Sequence, residues 1–271
     1  MKGLSKNMNS IIISIMNSKG GVGKTTVTCN LSDGLARRGK KVLVVDMDTQ
    51  SNTTKTLLPQ ATLEYTFYEF ISPGSSEEII KKCIHATQNK NLHCIPNINE
   101  TSSLEPDLIE RKDFYAIRDK LRPYVQEKYD FCLLDCPPNM GTWVITALYG
   151  SDFVIIPTLA NSSYSIDGLL KAVTLINNVR KNGNKNLRFL KLLINQVHKR
   201  QNICQYNINQ IQQNFPEEKI FNTMIPVNVT FSQAETGNKT IFKEAPTSRG
   251  CLAYRNLSQE IIDIFNNEGE K

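Results

Sequence analysis

The chain has 271 residues, of which 40% are hydrophobic and 21% charged, with a formal net charge of +6. Its longest apolar stretches are strand-sized, well short of the roughly 20 residues of a membrane span. The isoleucine run at 11–13 is too short, and too soon followed by Asn17 and Lys19, to act as a signal peptide, so a cytoplasmic location is expected. Seven cysteines without a CxxC pair, and three histidines without ligand spacing, argue against a disulfide framework or a zinc site.

In chain order, polar residues 1–10 read as a loose extension ahead of a single domain over 11–271, with no linker, repeat or low-complexity tract to divide it. Ile11-Ile12-Ile13-Ser14-Ile15-Met16 opens a buried strand predicted over 11–17. It leads into Lys19-Gly20-Gly21-Val22-Gly23-Lys24-Thr25-Thr26 and then a helix over about 24–38, with Val27, Leu31 and Leu35 at helical spacing. Strand, glycine loop and helix together aim backbone N–H groups and a positive helix end at a phosphate chain. Gly20, Gly21 and Gly23 let the main chain take positive φ and approach the anion, Lys24 supplies charge for the outer phosphates, and the Thr25 hydroxyl can ligate Mg²⁺. The implied ligand is a nucleoside triphosphate. Gly39 follows Arg37 and Arg38 as a natural helix stop.

Further strands are predicted at 42–46, 92–96, 131–135, 153–157, 188–195 and 220–225, mostly as continuous apolar runs, as strands covered on both faces should be. Helices are predicted at about 105–128, after Gly141, at about 166–181 and at about 250–266. This alternation implies an α/β fold, a mainly parallel twisted sheet with helices on both faces, and ligands at the carboxyl ends of the strands. The glycine loop, the Asp46/Asp48 pair and Asp135 all fall at such ends and should share one crevice. Asp46 and Asp48 are two apart, so an extended backbone would point them the same way. Cys132 and Cys136, either side of Asp135, read as small buried residues.

Charge is unevenly spread. Residues 168–216 carry Lys171, Arg180, Lys181, Lys185, Arg188, Lys191, Lys199 and Arg200 and no acid, a plausible footprint for a polyanion such as DNA. A lysine- and asparagine-rich composition would give the same count, as the stretch from Asn177 to Asn186 shows.

The loop departs from G-x-x-x-x-G-K-[ST]: Ser18 stands where glycine is usual, and Lys19 is added at the start. This resembles the deviant Walker A motif of ParA/MinD-class ATPases. So do Asp46-Met47-Asp48-Thr49-Gln50-Ser51-Asn52, the Asp135-Cys136-Pro137-Pro138 segment, Val154-Ile155-Ile156-Pro157, Ile225-Pro226-Val227-Asn228 and Ala245-Pro246-Thr247-Ser248-Arg249-Gly250, in family order over nearly the whole chain. The resemblance, to ParA/Soj-type partition ATPases within that class, implies ATP and Mg²⁺ as ligands. Residues Gly20, Gly21, Val22, Gly23, Lys24, Thr25 and Thr26 would hold the phosphates. Asp46 would support the Mg²⁺ shell and Asp135 would hold a metal-bound water, beside the direct ligand Thr25. Asp48 would orient the attacking water, and Lys19 would reach the nucleotide of a second subunit. Asn195, Pro226 and Asn228 would line the adenine pocket, and Lys199, Arg200, Lys243 and Arg249 would contact DNA. An ATP-bound homodimer, non-specific DNA and a ParB-like centromere-binding protein are the implied partners. Thr49 replaces the family's usual proline, so the loop after Asp48 is expected to be less rigid.

Other members of the class set alternatives. A MinD-like membrane-associated ATPase would want a basic amphipathic C-terminus, whereas residues 260–271 are net acidic, so no membrane partner is expected. A positioning ATPase for protein cargo stays open on sequence alone. An iron–sulfur carrier would want paired cysteines, and a tyrosine kinase a tyrosine-rich tail; neither is present.

Overall fold

The computed structural model describes residues 10–126, 128–161, 165–198 and 200–268. The order begins β1 (Ile11–Ile15), α1 (Lys24–Arg37), β2 (Val42–Asp46), α2 (Asn52–Leu57), α3 (Phe67–Ile71), α4 (Glu77–Lys82), β3 (His85–Ala86) and β4 (Leu92–Ile95). It continues with α5 (Glu105–Glu110), α6 (Ala116–Val125), β5 (Phe131–Asp135), α7 (Thr142–Gly150), β6 (Phe153–Leu159) and α8 (Ser165–Asn182). It closes with β7 (Arg188–Asn195), α9 (Asn202–Asn214), α10 (Val229–Thr236), α11 (Ile241–Glu244) and α12 (Arg249–Glu268).

The sheet order is β3-β4-β2-β5-β1-β6-β7. All pairings are parallel except the short edge pair β3–β4. Alternate residues of each strand feed opposite faces, and both faces are apolar, which explains the continuous hydrophobic runs. Ile12, Leu43, Leu134 and Ile156 pack with Phe67, Phe70, Leu121, Trp143 and Leu169 on one side. Ile13, Ile15, Val44, Leu133 and Ile155 pack with Leu31, Leu35, Tyr254, Leu257 and Ile261 on the other.

Several expectations change. The helix predicted over 105–128 is two helices, because Lys112 takes a left-handed φ of 53° between α5 and α6. The segment 220–225 forms no strand; it meets the sheet through isolated bridges, Leu192 with Ile220 and Val197 with Pro226. Ser10, assigned to the loose extension, is buried, and its hydroxyl lies between the carbonyls of Val125 and Tyr129, within reach of either. The rest of that extension, 1–9, lies outside the described residues. Gly39 does end α1, with φ 82° and its N–H on the Ala36 carbonyl at 3.0 Å. Among the described residues, no helix is long and apolar enough to cross a membrane.

Candidate active site

The chain leaves β1 at Ile15 and crosses to Lys24 on a loop pinned at two points. Asn17 Nδ2 donates to the Pro157 carbonyl at 2.7 Å, and its Oδ1 accepts the Lys19 N–H at 3.0 Å. Asn195 Nδ2, at the end of β7, donates to the Val22 carbonyl at 2.9 Å. The loop is therefore tied to β6 and to the end of β7, and it leads directly into the N-terminus of α1.

Of the three loop glycines, Gly21 and Gly23 take the expected positive φ, at 73° and 89°, whereas Gly20 does not. Gly23 is also confined from outside: a Cβ there would lie 2.4 Å from Asn195 Nδ2. Gly23→Ala should therefore combine left-handed strain of about 1–2 kcal/mol with displacement of the Asn195 strut. The expected result is a fall in fluorescent-ATP affinity of about tenfold or more, with a melting temperature lower by only a few degrees. Wild-type affinity would show that the loop does not need this geometry.

Lys24 is buried, and its Nζ folds back to the Lys19 carbonyl at 3.2 Å. Burial lowers its pKa, against the opposing pull of Asp135, Cys136 and Asp48. A buried ammonium resting on a neutral carbonyl gains strongly from an anion placed beside it.

Asp46 and Asp135 are register partners on adjacent strands, both fully buried. Asp135 accepts three hydroxyls: Thr25 at 2.9 Å and Thr53 at 2.7 Å on Oδ2, and Thr28 at 3.0 Å on Oδ1. Asp46 Oδ2 accepts the Thr54 N–H at 2.8 Å and its hydroxyl at 2.6 Å, while Oδ1 accepts the Asp48 N–H at 3.1 Å. Burial, then the charge of Asp135, pushes Asp46 up to about 8. Burial also raises Asp135, against the three threonine hydrogen bonds. Two carboxylates in one dry crevice resist ionising together, and a dication beside them removes that penalty. The donor set thus suits Mg²⁺, with the Thr25 oxygen and Asp135 already adjacent. Among the described residues, no group of three or more His, Cys, Asp or Glu could hold a metal alone, so phosphate and water oxygens would complete the shell.

Strand β2 stops at Asp46, so the expectation that Asp46 and Asp48 project from one extended strand does not hold. Asp46 is turned under the following loop as its anchor, and Asp48 stands half-exposed above it. The turn is closed by Gln50 N–H on Asp48 Oδ1 at 3.0 Å and Ser51 N–H on the Asp48 carbonyl at 2.9 Å. It is held without the proline that Thr49 replaces.

Residues 10–189 match the model of an AAA domain family (AAA_31). The chain is 34% identical over 251 residues to the sporulation initiation inhibitor protein Soj of Bacillus subtilis, covering 92% of this chain and 97% of Soj. It is 32% identical over 253 residues to the chromosome partitioning protein ParA of Myxococcus xanthus, covering 93% and 87%. The chain belongs to the ParA/Soj-type partition ATPases. Cobyrinic acid a,c-diamide synthase from Mycobacterium smegmatis, solved with an ATP analogue and magnesium, superposes at a TM-score of 0.81 over 95% of this chain and 96% of that one, at 22% identity. The cell division ATPase MinD of Pyrococcus furiosus gives 0.75 over 94% and 99%, at 23% identity. At those identities the likeness establishes the P-loop α/β fold.

The remaining residues expected of a ParA/Soj-type site are less concentrated. Lys19 is exposed at the mouth of the loop. Asn195 is buried, and its carboxamide is engaged by the Val22 carbonyl and the Gln196 N–H, which makes it a strut under the loop. Pro226 bridges Val197, close to that strut, and Asn228 Oδ1 caps α10 by accepting the Thr230 N–H at 3.1 Å.

Of the basic candidates, Arg200 is exposed ahead of α9, and Lys199 lies outside the described residues. Lys243 Nζ donates to Gln88 Oε1 at 2.6 Å, and Arg249 is exposed at the start of α12. Helices α11 and α12 pack on α1, where Arg38 donates to the Arg255 carbonyl at 2.8 Å and Arg37 sits 5.1 Å from the Phe242 ring centroid. The basic excess at the end of α1 therefore joins the C-terminal cations, although the two are far apart in sequence. Part of the acid-free stretch is structural: on edge strand β7, Lys191 donates to the Ile220 carbonyl at 3.1 Å and Arg188 lies 4.7 Å from the Phe153 ring centroid.

Sequence reasoning missed Asn17, Thr28, Thr53 and Thr54. The doublet Thr53-Thr54 right after the aspartate-rich motif was the available signal for the last two.

Proposed function

We propose that this ATPase is Mg²⁺-dependent and slow on its own, and that its ATP-bound form closes into a homodimer that binds DNA without sequence preference. A ParB-like centromere-binding partner then stimulates hydrolysis and releases the dimer from DNA. The protein acts in the cytoplasm, on the nucleoid. One observation carries the catalytic part: the Thr25–Asp135 pair and the Asp46-anchored loop bearing Asp48 meet beside the same phosphate loop. Mg²⁺, when bound, supplies charge neutralisation on the phosphates. Thr25 would ligate it and Asp135 would hold a metal-bound water, Asp46 would support that shell while fixing the loop, Lys24 and the N–H groups of 20–26 would position the triphosphate, and Asp48 would orient the attacking water. Pro226 and Asn228 border the base, with Asn195 behind the loop.

Phosphoryl transfer needs positioning and electrostatics more than covalent help, which suits a site built of hydroxyls, N–H groups and two carboxylates. Lys19, exposed on the loop itself, would add positive charge to a neighbouring subunit's nucleotide. The DNA part of the reading rests on family membership and on the exposed cations Arg200, Lys243 and Arg249. Contacts of that kind fall on backbone phosphates and weaken steeply with salt. Duplex binding measured with ATP, ADP or no nucleotide at two salt concentrations tests it. ATP-dependent binding that drops at the higher salt is expected. Equal binding in all three nucleotide states would overturn the reading.

A further inference from the structure

We propose that Thr53 is a positioning residue that couples Mg²⁺–nucleotide occupancy of the phosphate loop to the loop carrying Asp48. The inference rests on the function just proposed and deepens it.

The Thr25 hydroxyl has one proton, and it points at Asp135 Oδ2, 2.9 Å away. That leaves the Thr25 lone pairs for a cation, so Asp135 sets the orientation of the hydroxyl that would ligate Mg²⁺. The same Oδ2 accepts the Thr53 hydroxyl at 2.7 Å. Thr28 holds the other oxygen at 3.0 Å, but Thr28 shares helix α1 with Thr25 and moves with it. Thr53 comes from outside that helix, on the first turn of α2, and is fully buried. It acts on Thr25 through Asp135 and is not itself placed at the phosphates.

Its neighbour Thr54 completes the link. Thr54 grips Asp46 Oδ2 through both its N–H and its hydroxyl, and Asp46 Oδ1 accepts the Asp48 N–H at 3.1 Å. The Asn97 N–H donates to Thr54 Oγ1 at 2.8 Å, tying the end of β4 into the same chain of bonds. Adjacent threonines of one short helix thus clasp the buried carboxylates of two adjacent strands. One carboxylate orients the metal-binding hydroxyl, and the other anchors the loop that presents Asp48. Cys29 Sγ lies 3.5 Å from Thr53 Oγ1 and packs α2 against α1. A shift of Thr25 on loading is therefore passed through Asp135 and Thr53 to α2, and from Thr54 and Asp46 to Asp48. The run from the Asn97 N–H through the Thr54 hydroxyl to Asp46 is a donor–acceptor chain, whose bonds polarise one another.

The test uses Thr53→Val, which keeps the shape and removes the hydroxyl, Thr53→Ser, which keeps the hydroxyl, and Thr53→Ala as a second deletion. The readout is the affinity of full-length protein for a fluorescent ATP analogue in excess Mg²⁺ and in chelator, with a melting curve for each variant. The valine and alanine variants are expected to lose about tenfold of the Mg²⁺-dependent gain in affinity, with binding in chelator within about twofold of wild type. Serine should restore the gain. An unchanged Mg²⁺ gain in both deletion variants would overturn the coupling. So would an equal loss with and without Mg²⁺, which marks a merely structural role, or a serine variant as poor as valine. If wild type itself gains nothing from Mg²⁺, the proposed function fails and takes the coupling with it.

Discussion

Replacing Asp48 with alanine is expected to leave ATP binding near wild type while slowing hydrolysis by about 10²–10⁴-fold, the usual worth of a positioned acid–base group. The geometry isolates the carboxylate well. The bond from this residue to Asp46 runs through its main-chain N–H, which alanine retains. So does the Ser51 N–H bond to its carbonyl, so the turn keeps two of its closures and loses the one to Gln50. Binding should persist because the phosphate loop is built by Asn17, Asn195 and the glycines, not by Asp48. Under the proposed cycle, hydrolysis is what opens the dimer, so the variant should accumulate on DNA in ATP and fail to leave when partner is added. Single-turnover hydrolysis and DNA co-sedimentation check both halves. Wild-type turnover would remove Asp48 from the chemistry, and a variant that stays monomeric with ATP would count against its placement after dimer closure.

Lys19→Ala should abolish ATP-dependent dimerisation or, if dimers persist, reduce partner-stimulated turnover by about 10²–10³-fold, the scale of one lost donor to developing charge. Here too the main chain is insulated from the substitution. The Lys19 N–H bonds Asn17, and its carbonyl receives Lys24 Nζ, so both contacts survive in alanine. A loss therefore reports the exposed side chain rather than a collapsed loop, and ATP affinity of the monomer should change little. Turnover unchanged in the presence of partner would refute a lysine acting across the interface.

The phosphate loop was legible because its requirements are local. Gly21 and Gly23 do adopt left-handed φ, and a run of apolar residues into Asp135 does place that carboxylate at a strand end. What escaped is what depends on contacts between distant segments. Asn17 and Asn195 look like ordinary turn residues until β6 and the Val22 carbonyl are brought to them. Helix α2 has six residues, too few for an apolar period to show, so only the position of the Thr53-Thr54 doublet beside the aspartates pointed to the buried carboxylates. The alternation argument for Asp46 and Asp48 does not apply because β2 ends at Asp46, two residues short of Asp48. The apolar run at 220–225 has strand composition, yet it meets β7 through a single isolated bridge, Leu192 with Ile220, instead of a continuous ladder. Charge was the weakest guide. Lys191 and Arg188 were counted toward a polyanion surface, but each is engaged with its own chain, while Arg37 and Arg38 joined the C-terminal cations only once α1 and α12 were packed together.

Molar mass in solution, followed by light scattering as a non-hydrolysable ATP analogue with Mg²⁺ is added, bears most directly on the central idea that triphosphate closes two subunits on each other. The mass should double from the 30.6 kDa monomer with the analogue and stay single with ADP. A single-chain mass at saturating analogue, or a dimer equally present without nucleotide, would contradict it.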